Sequence, residues 1–206
     1  MHSTSTLPST ATAQAVTATH SVWGTAIRFT VLTTLLLGLG YPLLVTGIAN
    51  VMFPHKAGGS LILKDGTVIG SELLAQSFTS DRYFHPRPSA AGNGYDATAS
   101  GGSNLAQSSK ALVDRINGAI DKLSAENPGK PVPIDLVTTS ASGLDPDVTP
   151  DSAYFQIPRV SKARGIDAER LRKLIEQNTT SRQYGLLGEP RVNVLALNLE
   201  LDKLTK

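Results

Sequence analysis

The chain of 206 residues contains no cysteine. That excludes a disulfide framework, cysteine-based zinc sites and thiol nucleophiles, and it suits a domain that sits in an oxidising compartment without mispairing. Acidic residues are absent from the first 64 positions: all 17 lie from Asp65 onward, and Arg28 is the only formal side-chain charge in residues 1–54. A large positive field is missing too. Lys plus Arg number 19 against 17 acids, a net charge of +2, and the two signs are interspersed. A nucleic-acid partner is not expected from so weak a field. The four histidines (His2, His20, His55 and His85) stand apart from other ligand types, so no metal site is expected. There is no Gly-x-Ser-x-Gly elbow and no Gly-Lys-Ser/Thr of a phosphate-binding P-loop. No catalytic residue can therefore be nominated. Asp145 and Asp147 flank Pro146, and they read as turn residues before they read as a hydrolytic carboxylate pair.

What is present is a long apolar run. From Phe29 to Phe53 the only ionisable side chain is Tyr41, and leucine, valine and isoleucine dominate. About 25 residues at roughly 1.5 Å each can cross a hydrocarbon core of roughly 30 Å. The competing reading is a cleaved signal peptide, since Gly47-Ile48-Ala49 fits a small-x-small cleavage pattern. The apolar stretch exceeds a signal core, however, and only Arg28 precedes it. We therefore expect a transmembrane anchor over residues 25–53, a disordered Ser/Thr-rich tail over 1–24, and a soluble domain over 54–206. Membrane lipid is thus an expected partner. Gly38, Gly40, Pro42 and Gly47 are expected to face another helix, because small residues allow close approach in lipid. Arg28 on one flank and Lys56 and Lys64 on the other do not determine orientation.

The body reads as one α+β domain of mixed helices and strands. Ser60–Lys64 and Thr67–Gly70 flank Asp65-Gly66, a hairpin signal. Arg82, Tyr83, Phe84 and Arg87, with Pro86 and Pro88, lie in an ordered extended segment, 78–91. That segment is either a docking surface or a loop whose aromatics enter the domain's own core. A helix is expected from Ser103 as N-cap, with Leu105, Leu112, Val113, Ile116, Ile120 and Leu123 on one face, ending near Asn127. The Ser100-Gly101-Gly102-Ser103 turn at its start could offer N–H groups to an anion, although a flexible loop with a cap is the better explanation. Ile134–Thr139 reads as a short strand. Thr149-Pro150 starts a helix that Pro158 interrupts before Gly165, and a further helix runs from Asp167 with Leu171, Leu174 and Ile175 on one face. Val192–Leu201, with Leu195, Leu197, Leu199 and Leu201 alternating against other residues, reads as a half-buried strand.

Several blocks together resemble one family. They are Phe78–Phe84 with Arg87–Ala90, Ala99–Leu105, Pro133–Thr138, Ser142–Pro146, Gln156–Val160 with Ala163–Gly165, and Leu187–Leu195 with Leu197-Asn198. In this order, after a single N-terminal anchor, they resemble the C subunit of the Kdp-type potassium-transporting ATPase of bacteria over about residues 25–204. The resemblance implies a non-catalytic accessory subunit in a high-affinity potassium uptake complex of the cytoplasmic (inner) membrane. Its partners would be a channel-like potassium-translocating subunit and a P-type ATP-hydrolysing subunit, and potassium would be the transported ion of the complex. The family is described as a catalytic chaperone that raises the affinity for ATP. By the resemblance, Ser100, Gly101, Gly102, Ser103, Asn104 and Gln156 would be the nucleotide candidates. The same resemblance puts the soluble domain outside the cytoplasm, where it cannot reach cytoplasmic ATP. The alternatives are a membrane-anchored extracytoplasmic binding or sensor domain, and an anchored hydrolase using Asp145 and Asp147.

Overall fold

The computed structural model describes residues 22–204, which fall into two units that meet at Pro54–His55. The first is one continuous helical rod, Val22–Met52, of 31 residues. Its first part, α1 (Val22–Thr33), passes into a π-helical stretch, Thr34–Gly40, and then into α2 (Tyr41–Met52). The helix therefore begins before residue 25, and the expected tail over 1–24 lies, up to residue 21, outside the described residues. Every large apolar side chain on the rod from Val22 to Phe53 is largely exposed. At 1.5 Å per residue the rod is roughly 45 Å long, more than a hydrocarbon core of about 30 Å requires. The π-helical stretch has a local cause. Pro42 carries no N–H, and its ring collides with the carbonyl four residues back in a regular α-helix. Widening the turn just before it relieves that collision, and the Tyr41 N–H bonds to Leu36 O, five residues back.

The second unit opens on a short helical turn, α3 (Pro54–Ala57). The hairpin forms as expected, with β1 (Leu61–Lys64) antiparallel to β2 (Thr67–Ser71). Its turn residues Asp65 and Gly66 sit at φ 51° and 77°, the left-handed pair that a two-residue hairpin loop demands. Next comes α4 (Lys110–Glu126), and a 3-10 turn at Ile134–Leu136 stands where a strand was expected. Pro133, at φ −63°, starts that turn, and the Asp135 side chain fixes it from within. Asp135 Oδ2 accepts from Thr149 N at 2.9 Å and Ser152 Oγ at 3.2 Å. Burial opposes the charge on Asp135, but these bonds outweigh it and hold the carboxyl below the usual carboxylate range.

Helix α4 starts at Lys110 rather than after Ser103, and its end at Asn127 is as expected. Asn104 has φ 50°, a left-handed conformation that no helix interior accommodates, so residues 103–109 stay outside the helix.

The core is built by the second half of the domain. A three-stranded antiparallel sheet in the order β3 (Asp147–Val148), β5 (Arg191–Asn193), β4 (Thr179–Thr180) carries four short helices. They are α5 (Pro150–Phe155), α6 (Ile157–Arg164), α7 (Ala168–Gln177) and α8 (Val194–Lys203). Thr149 caps α5 through Ser152 N, and Pro158 separates α5 from α6. Gly165 closes α6 at φ 68°, and Asp167 caps α7 through Glu169 N and Arg170 N. These boundaries follow the sequence signals. Leu171, Leu174 and Ile175 are buried at helical spacing on α7, each contributing about 1.5–3 kcal/mol by leaving water.

The C-terminal segment differs from the expected strand. Only Arg191–Asn193 is extended. Asn193 then accepts a bond from Ala196 N and starts α8. Val194, Leu195, Leu197, Asn198 and Leu201 are buried, a helical spacing of 1, 3, 4 and 7 that the leucine alternation also permits. Leucine, alanine and glutamate favour helix over strand, and that preference prevails.

Candidate functional site

The extended segment 78–91 is tied to the rest of the domain, and Phe84 follows the second of the two readings. Phe84 is 0% exposed and lies in the core with Val160, Leu171, Ile175 and Leu197. This corrects its assignment as a partner contact, because no surface of the ring is left to offer. Two amide side chains clamp successive residues of the segment. Asn198 on α8 accepts from Phe84 N and donates to Phe84 O, both at 2.9 Å. Gln156, at the junction of α5 and α6, accepts from His85 N at 2.8 Å and donates to His85 O at 3.1 Å. Each amide presents the donor and acceptor that a neighbouring strand would present, which satisfies backbone groups that Pro86 and Pro88 keep out of any sheet.

Four arginines complete the clamp. Arg159 Nη1 donates to the carbonyls of Asp81 and Tyr83 at 2.9 and 3.0 Å, and its Nε lies 3.4 Å from Glu126 Oε2. The Arg164 side chain, 1% exposed, donates to Arg82 O at 2.6 Å and pairs with Asp202 at 2.7 Å. Its guanidinium also stacks 4.7 Å from the centre of the Tyr83 ring, while the Tyr83 hydroxyl donates to Asp202 at 3.2 Å. Arg87 is half-buried, donating to Asp145 and Thr138 at 3.2 Å each. Arg82 is exposed and donates to Ala163 O at 3.3 Å. His85 sits beside Arg159, with Nε2 3.0 Å from Ser80 O. Burial first, and the Arg159 charge second, push its pKa below the ordinary value.

Of the nucleotide candidates, Gln156, Ser100 and Gly101 are engaged within the domain. Gln156 is 3% exposed. Besides its two bonds to His85, it donates to Ser152 O and accepts from Arg159 Nη2 at 2.7 Å. Both donors and the acceptor oxygen are therefore engaged within the domain. Ser100 and Gly101 both bond to Ser142 O, at 3.0 and 2.8 Å, so the Gly101 N–H is not free for a phosphate. Gly102 packs on Ala141, whose carbonyl would lie 3.1 Å from an added Cβ. Ser103 and Asn104 precede α4 by several residues and do not form its N-terminus, so the helix dipole invoked for anion binding is elsewhere. Ser100, Gly101 and Gly102 stack their loop on Ala141 and Ser142.

Asp145 and Asp147 do not form a catalytic pair either. Asp145 accepts from Asp147 N at 3.1 Å in the turn, and each carboxylate faces its own arginine, Arg87 at 3.2 Å and Arg191 at 2.9 Å. Burial pushes Asp147 above the usual carboxylate range, against the pull of Arg191. Among the described residues no group of three or more His, Asp or Glu side chains converges as a metal site.

On the rod, Gly38, Gly40 and Gly47 are not required by the chain itself. A Cβ would come no closer than 3.8 Å to another atom at Gly38 and 3.5 Å at Gly40, and would meet nothing within 4 Å at Gly47. Alanine at these places would stabilise an isolated water-soluble helix by about 1 kcal/mol each, and no contact among the described residues calls for glycine there.

An apolar helix long enough to cross a membrane, near the N-terminus, precedes an α+β domain held together by its own polar clamps, and that architecture defines the class of protein. The comparisons with known proteins specify it. The family described as K+-transporting ATPase, c chain (KdpC), matches residues 23–203, and the chain belongs to that family. The potassium-transporting ATPase KdpC subunit of Acidobacterium capsulatum is 56% identical over 181 residues, covering 87% of this chain and 97% of the relative. That of Rhodopseudomonas palustris strain BisB18 is 58% identical over 181 residues, covering 82% and 91%. That of Koribacter versatilis is 56% identical over 178 residues, covering 86% and 92%.

Proposed function

We propose that this chain is a non-catalytic accessory subunit of an ATP-driven, high-affinity potassium uptake complex in the cytoplasmic membrane. In this reading the rod Val22–Met52 spans the bilayer and the folded domain lies on the extracytoplasmic side. The chain assembles with a channel-like potassium-translocating subunit and a P-type ATP-hydrolysing subunit and stabilises conformations with which it makes differential contacts. Beyond family membership, the observation that carries the reading is the unclaimed glycine face of the rod. Gly40 and Gly47 are seven residues apart, with Leu44 between them, and so lie along one helix face. Close approach of a second helix there gains packing that lipid cannot supply. Pro42 adds a polar reason for a neighbour. The carbonyl left without its N–H in the preceding turn needs a donor inside hydrocarbon, and a hydroxyl or amide on an adjacent helix provides one.

Two experiments test this reading. Deletion of the chain should raise the external potassium needed for growth, and unchanged growth at low potassium would count against it. Because the chain has no cysteine, a single one introduced as Ser124→Cys reports the side of the membrane. Labelling by an impermeant reagent from outside intact spheroplasts is expected, and protection would reverse the orientation.

One observation favours a second reading as a binding or sensor domain. An open groove of about 930 Å³ runs between the hairpin, the sheet and α8, lined by Ile62, Ile69, Leu73, Asp147, Arg191 and Glu200. That reading requires a stoichiometric small ligand, and titration calorimetry of the full chain against candidate solutes would find or exclude one.

A further inference from the structure

The loop between β4 and β5 carries the most exposed cluster of large apolar side chains in the folded domain. Tyr184 is 97% exposed, Leu186 77% and Leu187 56%. The loop is nonetheless held in one shape. Gln183 N donates to Leu187 O at 2.8 Å and Leu187 N returns a bond to Gln183 O at 2.9 Å, closing an antiparallel bridge. Gly185 and Gly188 take φ 74° and 77°, and Tyr184 itself takes φ 53°, a left-handed conformation unusual for a residue with a side chain. A tip fixed in advance loses little entropy on binding, and a tyrosine with neighbouring leucines supplies the large, rigid apolar contact that dominates interface energetics.

Charge decides what such a tip fits. Arg182 and Arg191 flank it, and free cations there would favour an anionic lipid surface. Both are paired: Arg182 with Glu189 at 2.5 Å and Arg191 with Asp147 at 2.9 Å. With its cations neutralised, the tip complements a dry apolar pocket on a folded protein that also offers an acceptor for the tyrosine hydroxyl. A second copy of this chain fits less well. A convex tip entering a pocket elsewhere on an identical copy is a head-to-tail contact that propagates unless its rotation closes a ring.

Resting on the reading of the chain as a complex subunit, we propose that Gln183–Gly188 is the docking knob of the folded domain. Tyr184 and Leu186 enter an apolar pocket on the extramembrane part of another subunit of the same potassium-transporting ATPase. The knob takes the role that the sequence offered to Arg82–Arg87, which the domain uses internally.

The test places a photo-crosslinking benzoylphenylalanine at Tyr184, and separately at Leu44 on the rod, in the full-length chain expressed with the other subunits in native membranes. An adduct from position 184 with another ATPase subunit, identified by peptide mass, is expected. A lipid adduct, an adduct with a second copy, or no adduct would overturn the knob if position 44 still crosslinks and the tagged chain still co-purifies. Loss of both crosslinks and of co-purification would instead overturn the subunit reading, and the knob with it. In a second measurement the Tyr184→Ser, Leu186→Ser double variant is titrated onto complex assembled without this chain. Binding at least about tenfold weaker with an unchanged melting temperature is expected, as for the loss of an exposed hot spot. Unchanged affinity, or a lowered melting temperature showing that the tip serves the fold, would overturn the proposal.

Discussion

Replacing Gln156 by leucine keeps most of the side-chain volume and removes every polar bond the amide makes. Four groups then lose this partner: His85 N, bonded at 2.8 Å; His85 O, at 3.1 Å; Arg159 Nη2, at 2.7 Å; and Ser152 O, at 3.2 Å. A buried polar group left unpaired costs about 1–3 kcal/mol, and because three of these bonds are only part-buried the sum should fall near about 4 kcal/mol. In a domain of this size each kcal/mol moves the melting temperature by about 2–4 °C, so a drop of about 8–16 °C is expected. Scanning calorimetry of the full-length chain in detergent measures it. Gln156→Glu sharpens the test. A carboxylate still accepts from His85 N and Arg159 but repels the His85 and Ser152 carbonyls, so this variant should also be destabilised. It should recover on acidification, because the protonated carboxyl donates again. A leucine variant that melts like the parent but has lost measurable nucleotide binding would refute the reasoning and restore Gln156 as a ligand contact.

Three further outcomes follow from the same geometry. The depressed pKa of His85 means that the unfolded chain takes up a proton at this site before the folded one does. Its contribution is therefore full above about pH 6.5 and is lost as pH falls from there toward the folded value, by at most about 1.4 kcal/mol per pH unit. Melting temperatures of the parent and of His85→Gln compared between pH 7.5 and 5.5 should show the shallower slope in the variant. Asn198→Leu strands both backbone groups of Phe84 in the core and should cost about 2–5 kcal/mol in denaturant titration; no loss would contradict the clamp. Gly143→Ala should destabilise by more than about 1 kcal/mol, because its Cβ would lie 2.6 Å from Gly101 O at φ 67°; thermal unfolding of that variant tests the stacking of the two loops.

The elements read correctly from sequence were those with local causes. The Asp65-Gly66 hairpin, the Thr149-Pro150 start, the Gly165 stop and the Asp167 cap are each fixed by residues within a turn of the boundary. Errors arose where tertiary partners or ambiguous patterns decide. Leucines at 195, 197, 199 and 201 alternate like a strand, yet with Val194 and Asn198 they also make a helix face. A strand would turn Asn198 away from the leucine face, whereas in the helix it is the amide that holds Phe84. The pairing of Arg164 with Asp202 joins residues far apart in the chain, and no local pattern announces it. A docking role for Phe84 reads from bulk in an extended segment, a feature that a buried belt shares with an exposed one. The knob at Tyr184 had a visible signal in the glycines at 185 and 188 around apolar residues, but a turn signal does not reveal exposure.

The most direct measurement is intact mass spectrometry of the tagged full-length chain, purified in mild detergent from carbonate-washed membranes of potassium-starved cells. The account predicts a polypeptide that retains Val22–Met52 and elutes at a fixed ratio with two larger membrane proteins. A mass corresponding to a chain that starts at Asn50, recovered alone from the wash, would contradict it.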